Sequence, residues 1–584
     1  MNLAELLTIP ASMFPEQEIL RFEGQGTSYG ALAERVMFTA GALQGLGVQA
    51  GDRVAVLETN TPAVLEALYA TASLGAVFVP LNYRARADEL AHMLGVAAPR
   101  VLLVGDRYVP VARAALAELA EGGGGSPHPS PLPGGEGARR SLARGEGAGC
   151  AEPATREAEG VGPLEGGDGA EDRGGGAAGS APLLVGLGDA ADGLPRLVAL
   201  VAEADGVLPE DVADDALAVL MFTSGTTAHA KAVMLTHGNL VSFVFVTVDP
   251  ADGSDRGTVL LAAPLYHVAG LTAALTATWT GRRIALVRQF DAGEWLALVA
   301  RERVTHAFLV PTMLKRVLDH PDFATTDLSS LQVLSYGAAP MPLAVIRRAI
   351  ESFPPAVQFF NAFGQTETAS TVTTLGPEDH RLEGSPEEVE RKLRRLGSIG
   401  RPLADVELRV VDAEGRELPR GEIGEIAIRT ERVMRGYYGQ EDATRATLQD
   451  GWLRTRDLGW MDEDDYVYLA GRQADLIIRG GENVAPEEVE AVLATHPAVE
   501  EAAVIGVPDE EWGERVAAVV VCRPGAEVSV EMLVEHCHTR LASYKKPEIV
   551  VFAEALPRNA LGKLLRKDLR AQYTMQTSSP RTES

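Results

Sequence analysis

Residues 27 to 120 alternate between two hydrophobic periods, and this alternation limits the possible folds more than any other feature. TSYGALAERVMFTAGALQGLG carries apolar residues at helical spacing and stops on glycine, while GDRVAVLE reads as a short strand. TPAVLEALYATASLG is helical again, and AVFVPLN is again a strand. Helix and strand in this order predict a parallel α/β sheet. With 584 residues there is chain enough for two or more domains and a large core. Further along, the apolar run Ala216 to Phe222 predicts a buried strand that breaks into Thr223, Ser224, Gly225, Thr226 and Thr227, with Lys231 four residues on. Such a loop suits phosphate: its hydroxyls donate, its glycine lets the backbone approach, and the lysine reaches as a point charge. Alone, a TSGTT run is also an ordinary polar turn. No GK[ST] follows the glycine, so this is not the loop of the common P-loop nucleotidases.

Composition narrows the partners. A formal net charge of −28 argues against unaided binding to nucleic acid or anionic lipid, so any basic site must be local. Cys150, Cys522 and Cys537 form no CxxC pair and no metal-ligand spacing, which points to a reducing compartment without structural zinc. The start, MNLAELLTIP, has Glu5 and no basic lead into an apolar core, so it does not read as a signal peptide. No uninterrupted apolar run reaches the ~18 residues of a membrane span, and the expected location is the cytoplasm. Residues 121–181 stand apart: 19 of the 60 glycines and no aromatic residue fall between 121 and 180. Such a segment buries too little apolar surface to offset its ordering entropy, so it is expected to be a disordered surface insertion.

Several stretches together resemble the adenylate-forming acyl-CoA synthetase superfamily. The loop at 223–231 is similar to that family's TSGTTGxPKG, with Ala228 and Ala232 where the family has glycine and Ala230 where it has proline. GDRVAVLETN and PLNYRARADEL look like the family's opening phrases. PLYH resembles the stretch lining the acyl pocket. Tyr266 and His267 there replace the aspartate that holds the ammonium in amino-acid-activating members, so an α-amino acid is not the expected substrate. His267 either contacts the bound carboxylate or packs in the core. The small residues Ala269, Gly270, Ala273, Ala274 and Ala277 would leave room for a chain or ring.

VLSYGAAPMP, with Gly337, Ala338 and Ala339, ends a strand on residues small enough for a flat base to lie against backbone. QFFNAFGQTETAS resembles the family's NxYGxTE. On that resemblance Phe363 and Gly364 face adenine, Thr366 binds the α-phosphate and Glu367 holds Mg²⁺, for which carboxylate is the fitting ligand. WLRTRDLG resembles the TGD motif, with Arg456 in place of glycine and Asp457 kept as the ribose acceptor. GRQADLIIRGGENVAPEEVE matches the hinge motif GRxxDxIxxGGxxxxPxExE at every named position. It implies that Arg472 meets the nucleotide, that the backbone pivots around Gln473 to Asp475, and that Gly480 and Gly481 admit the pantetheine arm of coenzyme A. PRNALGKLLR resembles the closing motif and marks Lys563 as the mobile catalytic lysine.

The expected architecture is therefore an α/β protein of two parts. A large N-terminal AMP-binding domain, 1–471, combines α/β sheets with a β-rich subdomain after about residue 397; a small mobile α+β C-terminal domain covers 472–572, with a tail at 573–584. The resemblance implies a ligase that uses ATP and Mg²⁺ to turn a carboxylic acid, first of all a fatty acid, into acyl-AMP and then acyl-CoA. An aryl-acid ligase, an acyl-AMP ligase and, from another class, a non-catalytic nucleotide-binding relative are the alternatives. Deleting 122–180 is expected to leave turnover intact; a large drop in turnover at unchanged melting temperature would contradict the reading of that segment.

Overall fold

The structure is a computed structural model. It describes residues 1–121, 181–188, 193–223, 230–472, 475–479, 482–509, 512–558 and 564–577. The expected insertion at 121–181 lies almost wholly outside these residues, as do Gln473 and Ala474 of the pivot.

The chain is a mixed α/β protein with a large N-terminal and a small C-terminal domain. The alternation at 27–120 folds as its periods predict. Tyr29–Gly45 is a helix whose Ser28 cap accepts a hydrogen bond from the Ala31 N–H, and Pro62–Ser73 is the next helix. Strands Arg53–Leu57 and Val77–Pro80 pair in parallel, as do Arg53–Leu57 and Val101–Val104. They belong to a seven-stranded sheet that also holds Leu217–Thr223, parallel to Val77–Pro80. A nine-stranded sheet carries Val333–Gly337 and Gln358–Gln365 side by side in parallel. A mostly antiparallel five-stranded sheet holds Gly424–Arg429, Trp452–Met461 and Val467–Arg472, the β-rich part expected after 397. The small domain forms its own five-stranded sheet around Val499–Asp509 and Gly513–Cys522, with helices Pro486–Ala494, Val530–His538 and Arg566–Thr577. Its cores are separate from those of the large domain.

The first residues are tied into the large domain. Asn2 Nδ2 donates to the carbonyls of Ala72 and Glu210 at 2.8 and 3.0 Å, and the Leu3 N–H donates to Nδ1 of fully buried His237 at 2.9 Å. Burial first, and the nearby Met1 ammonium second, lower the His237 pKa to about 4, against the partly opposing charge of Asp214. The ring is therefore neutral in the fold and able to accept from Leu3. Because the unfolded histidine takes up its proton near 6.5 and the folded one only near 4, the contribution is complete above pH 6.5 and is lost as pH falls through that window. His237→Asn, whose Oδ1 can take over the Leu3 bond, is expected to weaken the fall in stability between pH 6.5 and 4 by about one proton's worth of slope. Thermal melts across that range measure this, and identical slopes in the two proteins would contradict it.

Candidate active site

The expected phosphate loop connects two strands that pair antiparallel. Leu217–Thr223 pairs antiparallel with Lys231–Thr236, with Thr223 opposite Lys231. Ser224, Gly225, Thr226 and Thr227 lie outside the described residues, with Ala228, but both stems are fixed. Ala230, at the end of the loop, has its carbonyl against His92 Nε2 at 3.1 Å, and Ala232 is fully buried in the return strand. Lys231 is half-buried, and its Nζ stands 4.6 Å above the ring centroid of Tyr437. Tyr437 reaches this place from the short strand Gly436–Tyr437, which pairs with the return strand. Its hydroxyl donates to Glu367 Oε1 at 2.9 Å. Lysine, tyrosine and glutamate thus form one stack. Burial, then the charge of Arg456, lower the Lys231 pKa, and Glu367 partly offsets them. Burial and the facing Glu367 carboxylate raise that of Tyr437, which keeps its proton as the donor.

The proposed base platform is close backbone. Gly337 ends its strand where an added Cβ would stand 2.0 Å from the Ala362 carbonyl oxygen, and Ala338 follows with φ +65°. Gly364 is equally fixed: a Cβ there would be 1.8 Å from the Ser370 carbonyl oxygen. Ala339 and Phe363 are half-buried, and Phe363 packs on the core of the β-rich part, just before a bulge in the pairing with Ser370–Leu375. Thr366 and Glu367 sit on the single 3-10 turn Thr366–Thr368. Ala369 and Ser370 follow with φ +51° and +115°, left-handed values that non-glycine residues adopt under constraint. The turn bearing Glu367 is therefore held in a specific, strained shape. As a metal site it has a single carboxylate, and no group of three or more His, Cys, Asp or Glu gathers to hold an ion among the described residues. That suits Mg²⁺, which binds through one or two carboxylates plus phosphate and water, and which would arrive with the nucleotide.

Asp457 is buried, 4% exposed, and its two oxygens have different partners: Arg472 Nε at 2.8 Å on Oδ1 and Gln365 Nε2 at 2.6 Å on Oδ2. Each oxygen keeps a lone pair for a hydroxyl donor. Beside it, Arg456 adopts φ +62°, the conformation a glycine at this position would favour. The bulky side chain has not moved Asp457 out of register, for Asp457 still lies opposite Arg472 in the sheet.

His267 caps the helix Val268–Thr280, with its ring 4.4 Å from that of Tyr266. Burial and the charge of Arg84 lower its pKa to about 3, so it is a neutral ring that can donate or accept one hydrogen bond but brings no charge. The small residues that follow divide in two. Ala274 and Ala277 are packed in the core, and Gly270 is small because its backbone presses on Pro264, whose carbonyl oxygen would be 2.3 Å from an added Cβ. Those three make no room for substrate. Ala269, Ala273 and Thr276 are half-buried on one helix face.

Gly480, Gly481 and Lys563 lie outside the described residues. The segments flanking them are anchored: Ile477–Arg479 and Glu482–Val484 pair with Arg479 opposite Glu482, and Arg558 pairs with Leu564. Three residues after Lys563, Arg566 is held by Glu487 at 2.7 Å, by Glu490, and by Asp475 of the hinge at 3.6 Å. Tyr437, Gln365 and Glu425, which hold the site together, are named by no motif. Only GYYG, an aromatic pair between glycines, gives a hint of Tyr437.

The chain is a member of the AMP-binding enzyme family, matching it over residues 8–438, and its end matches the AMP-binding enzyme C-terminal domain over 488–563. It is an AMP-forming acid–thiol ligase, with ATP, Mg²⁺ and coenzyme A as the molecules it works with. A feruloyl-CoA synthase of an Amycolatopsis species is 35% identical over 565 residues, 96% of this chain and 97% of that protein. The long-chain-fatty-acid–CoA ligase FadD13 of Mycobacterium tuberculosis (strain ATCC 25618 / H37Rv) is 34% identical over 544 residues, 93% of this chain and 92% of that one. The crystal structure of ATP-bound MatB from Rhodopseudomonas palustris is 28% identical and aligns with a TM-score of 0.78, covering 98% of this chain and 99% of that one. Among the described residues no helix is long and apolar enough to cross a membrane.

Tyr437→Phe keeps the ring beneath Lys231 and removes only the donor to Glu367. It is expected to raise the Mg²⁺ concentration for half-maximal activity several-fold with little change in melting temperature. An unchanged Mg²⁺ requirement would separate Tyr437 from the metal carboxylate.

Proposed function

We propose that this protein activates a carboxylic acid with an apolar body, a fatty acid in the first place, as acyl-AMP and then passes the acyl group to coenzyme A. The observation that carries this reading is the convergence of Lys231, Tyr437 and Glu367 on one side and Gln365, Asp457 and Arg472 on the other, around the mouth of the hydroxyl-rich hairpin. A carboxylate is a poor electrophile because its leaving group would be oxide. Attack on the α-phosphorus of ATP converts that oxygen into part of AMP, and pyrophosphate leaves. Such a step needs positioning and neutralisation more than covalent help. Lys231 and the loop hydroxyls Thr223, Ser224, Thr226 and Thr227 hold the outer phosphates, Gly225 lets the backbone close on them, and Thr366 takes the α-phosphate. Asp457 accepts the ribose hydroxyls, with Arg472 beside it. Gly337, Ala338, Ala339, Phe363 and Gly364 flank the adenine. Glu367 would hold Mg²⁺, which would supply charge neutralisation at the phosphates.

On the acid side, His267 donates one hydrogen bond to the carboxylate, and the half-buried face of Ala269, Ala273 and Thr276 receives the apolar body. No charged side chain follows Tyr266 and His267 in this stretch, which supports an acid without a second charge. FadD13 supports the fatty acid; the feruloyl-CoA synthase supports an aryl acid as the second reading. Residues 1–471 form the body, and 472–572 form a lid that pivots after Arg472. With the lid closed one way Lys563 bridges carboxylate and α-phosphate; turned the other way, Gly480 and Gly481 lead the thiol of coenzyme A to the acyl carbon. ATP and coenzyme A as co-substrates support a cytoplasmic location.

Two measurements test this. Across a panel of fatty and aryl acids, thioester formation is expected to have kcat/KM at least about tenfold higher for the best fatty acid. The reverse order would make the protein an aryl-acid ligase, and release of acyl-AMP without use of coenzyme A would make it an acyl-AMP ligase. Lys563→Ala is expected to cut adenylation about a hundredfold or more while still converting supplied acyl-adenylate to thioester. Equal loss in both half-reactions would contradict the division of labour.

A further inference from the structure

Arg456 carries a long side chain on a left-handed backbone. At φ +62° it occupies the left-handed region, where glycine sits freely and a long side chain does not. The conformation is fixed from beneath. The Arg456 N–H donates to Glu425 Oε1 at 2.8 Å, and the Glu425 carboxylate, 9% exposed, is itself gripped by Arg454 Nε at 2.8 Å. Arg456 lies in a bulge of its strand: Arg454 faces Ala427 and Leu458 faces Glu425, so the pairing shifts across Thr455 to Asp457, and the side chains of Thr455 and Asp457 are buried on either side. The left-handed turn belongs to this bulge.

The side chain that results is exposed and, among the described residues, forms no ion pair with a carboxylate. Its place beside the Lys231 stack is fixed by its neighbours: Gln365 Nε2 donates to the Thr455 carbonyl at 3.3 Å and to Asp457 Oδ2 at 2.6 Å, and Gln365 is two residues before Glu367, which accepts from the Tyr437 hydroxyl beneath Lys231. The charges of Arg456 and Lys231 oppose each other across this cluster. Two cations therefore face one space at the mouth of the phosphate hairpin, in a protein whose formal net charge is −28. Alone, such a pair is unfavourable; a polyphosphate between them turns the repulsion into two attractions. A guanidinium can also grip phosphate oxygens in pairs, which the ammonium of Lys231 cannot.

We propose that Arg456 is a second phosphate-binding cation of this site, closing with Lys231 on the polyphosphate of the bound nucleotide and setting the affinity for ATP and for the pyrophosphate product. The proposal rests on the nucleotide site described under Proposed function.

Arg456→Gly separates the charge from the fold, because glycine is at ease at this φ and the variant is expected to melt no lower than the parent. Binding of ATP and of inorganic pyrophosphate is measured by titration calorimetry on the full-length parent, on Arg456→Gly and on Arg456→Lys, alongside steady-state kinetics. The expected result is a rise of about tenfold or more in the Kd for both ligands and in the KM for ATP with Arg456→Gly, a smaller change in the KM for the acid, and partial recovery with Arg456→Lys. A parent that binds ATP with a glycine variant that binds it equally well or more tightly would overturn this inference alone. A parent that binds neither ATP nor pyrophosphate would overturn the site reading as well.

Discussion

The carboxylate of Asp457 joins segments that are far apart in sequence. Buried at 4% exposure, it must be paired, because an uncompensated buried charge is among the most costly features a fold can carry. Arg472 and Gln365 supply the pairing. Gln365 closes the strand that leads into the Thr366–Thr368 turn, and Arg472 is the last residue of the strand that leads into the hinge. One ion therefore fixes the acidic turn of the nine-stranded sheet against the β-rich part and sets the point from which the hinge departs. These same partners hold Asp457 in place and leave each of its oxygens a lone pair for a hydroxyl donor.

A second connection runs through Tyr437. The phosphate hairpin belongs to the seven-stranded sheet and Glu367 to the edge of the nine-stranded one, and the tyrosine touches both, with its ring under Lys231 and its hydroxyl on Glu367. Around this link Lys231 and Arg456 give the site a local positive field within a strongly acidic chain. The acidity of the whole protein repels polyanions from most of its surface, and these two cations are a local exception to it. In the small domain, partly buried Arg566 ties Glu487 and Glu490 to Asp475, so the start of the small domain and the segment after Lys563 share one cation.

Much of this was legible in the sequence, for reasons that differ by element. Tyr29–Gly45 and Pro62–Ser73 could be read because their apolar spacing, caps and terminal glycines are all local. The pairing of Asp457 with Arg472 and the turn carrying Glu367 fall on motif stretches, where each residue stands at a fixed offset from glycine, threonine or aspartate. Tyr437 and Glu425 could not be read: their roles depend on which strands become neighbours, and no local spacing encodes that a GYYG tyrosine will meet a glutamate 70 residues earlier. The small-residue run after His267 misled in part, since smallness serves two ends. At Gly270 it admits a neighbouring backbone, and only Ala269 and Ala273 remain on an accessible face. At Arg456 the sequence showed a departure from the glycine pattern but not that the backbone keeps the glycine's conformation beneath an arginine side chain.

The central claim is that these residues form a working adenylation site and not merely a nucleotide-binding one. Exchange of labelled pyrophosphate into ATP, with Mg²⁺ and a carboxylic acid present and coenzyme A withheld, isolates that step. Exchange that depends on both acid and Mg²⁺ is the predicted result. ATP binding without exchange, whatever acid is supplied, would contradict it and leave a nucleotide-binding protein that does not activate acids.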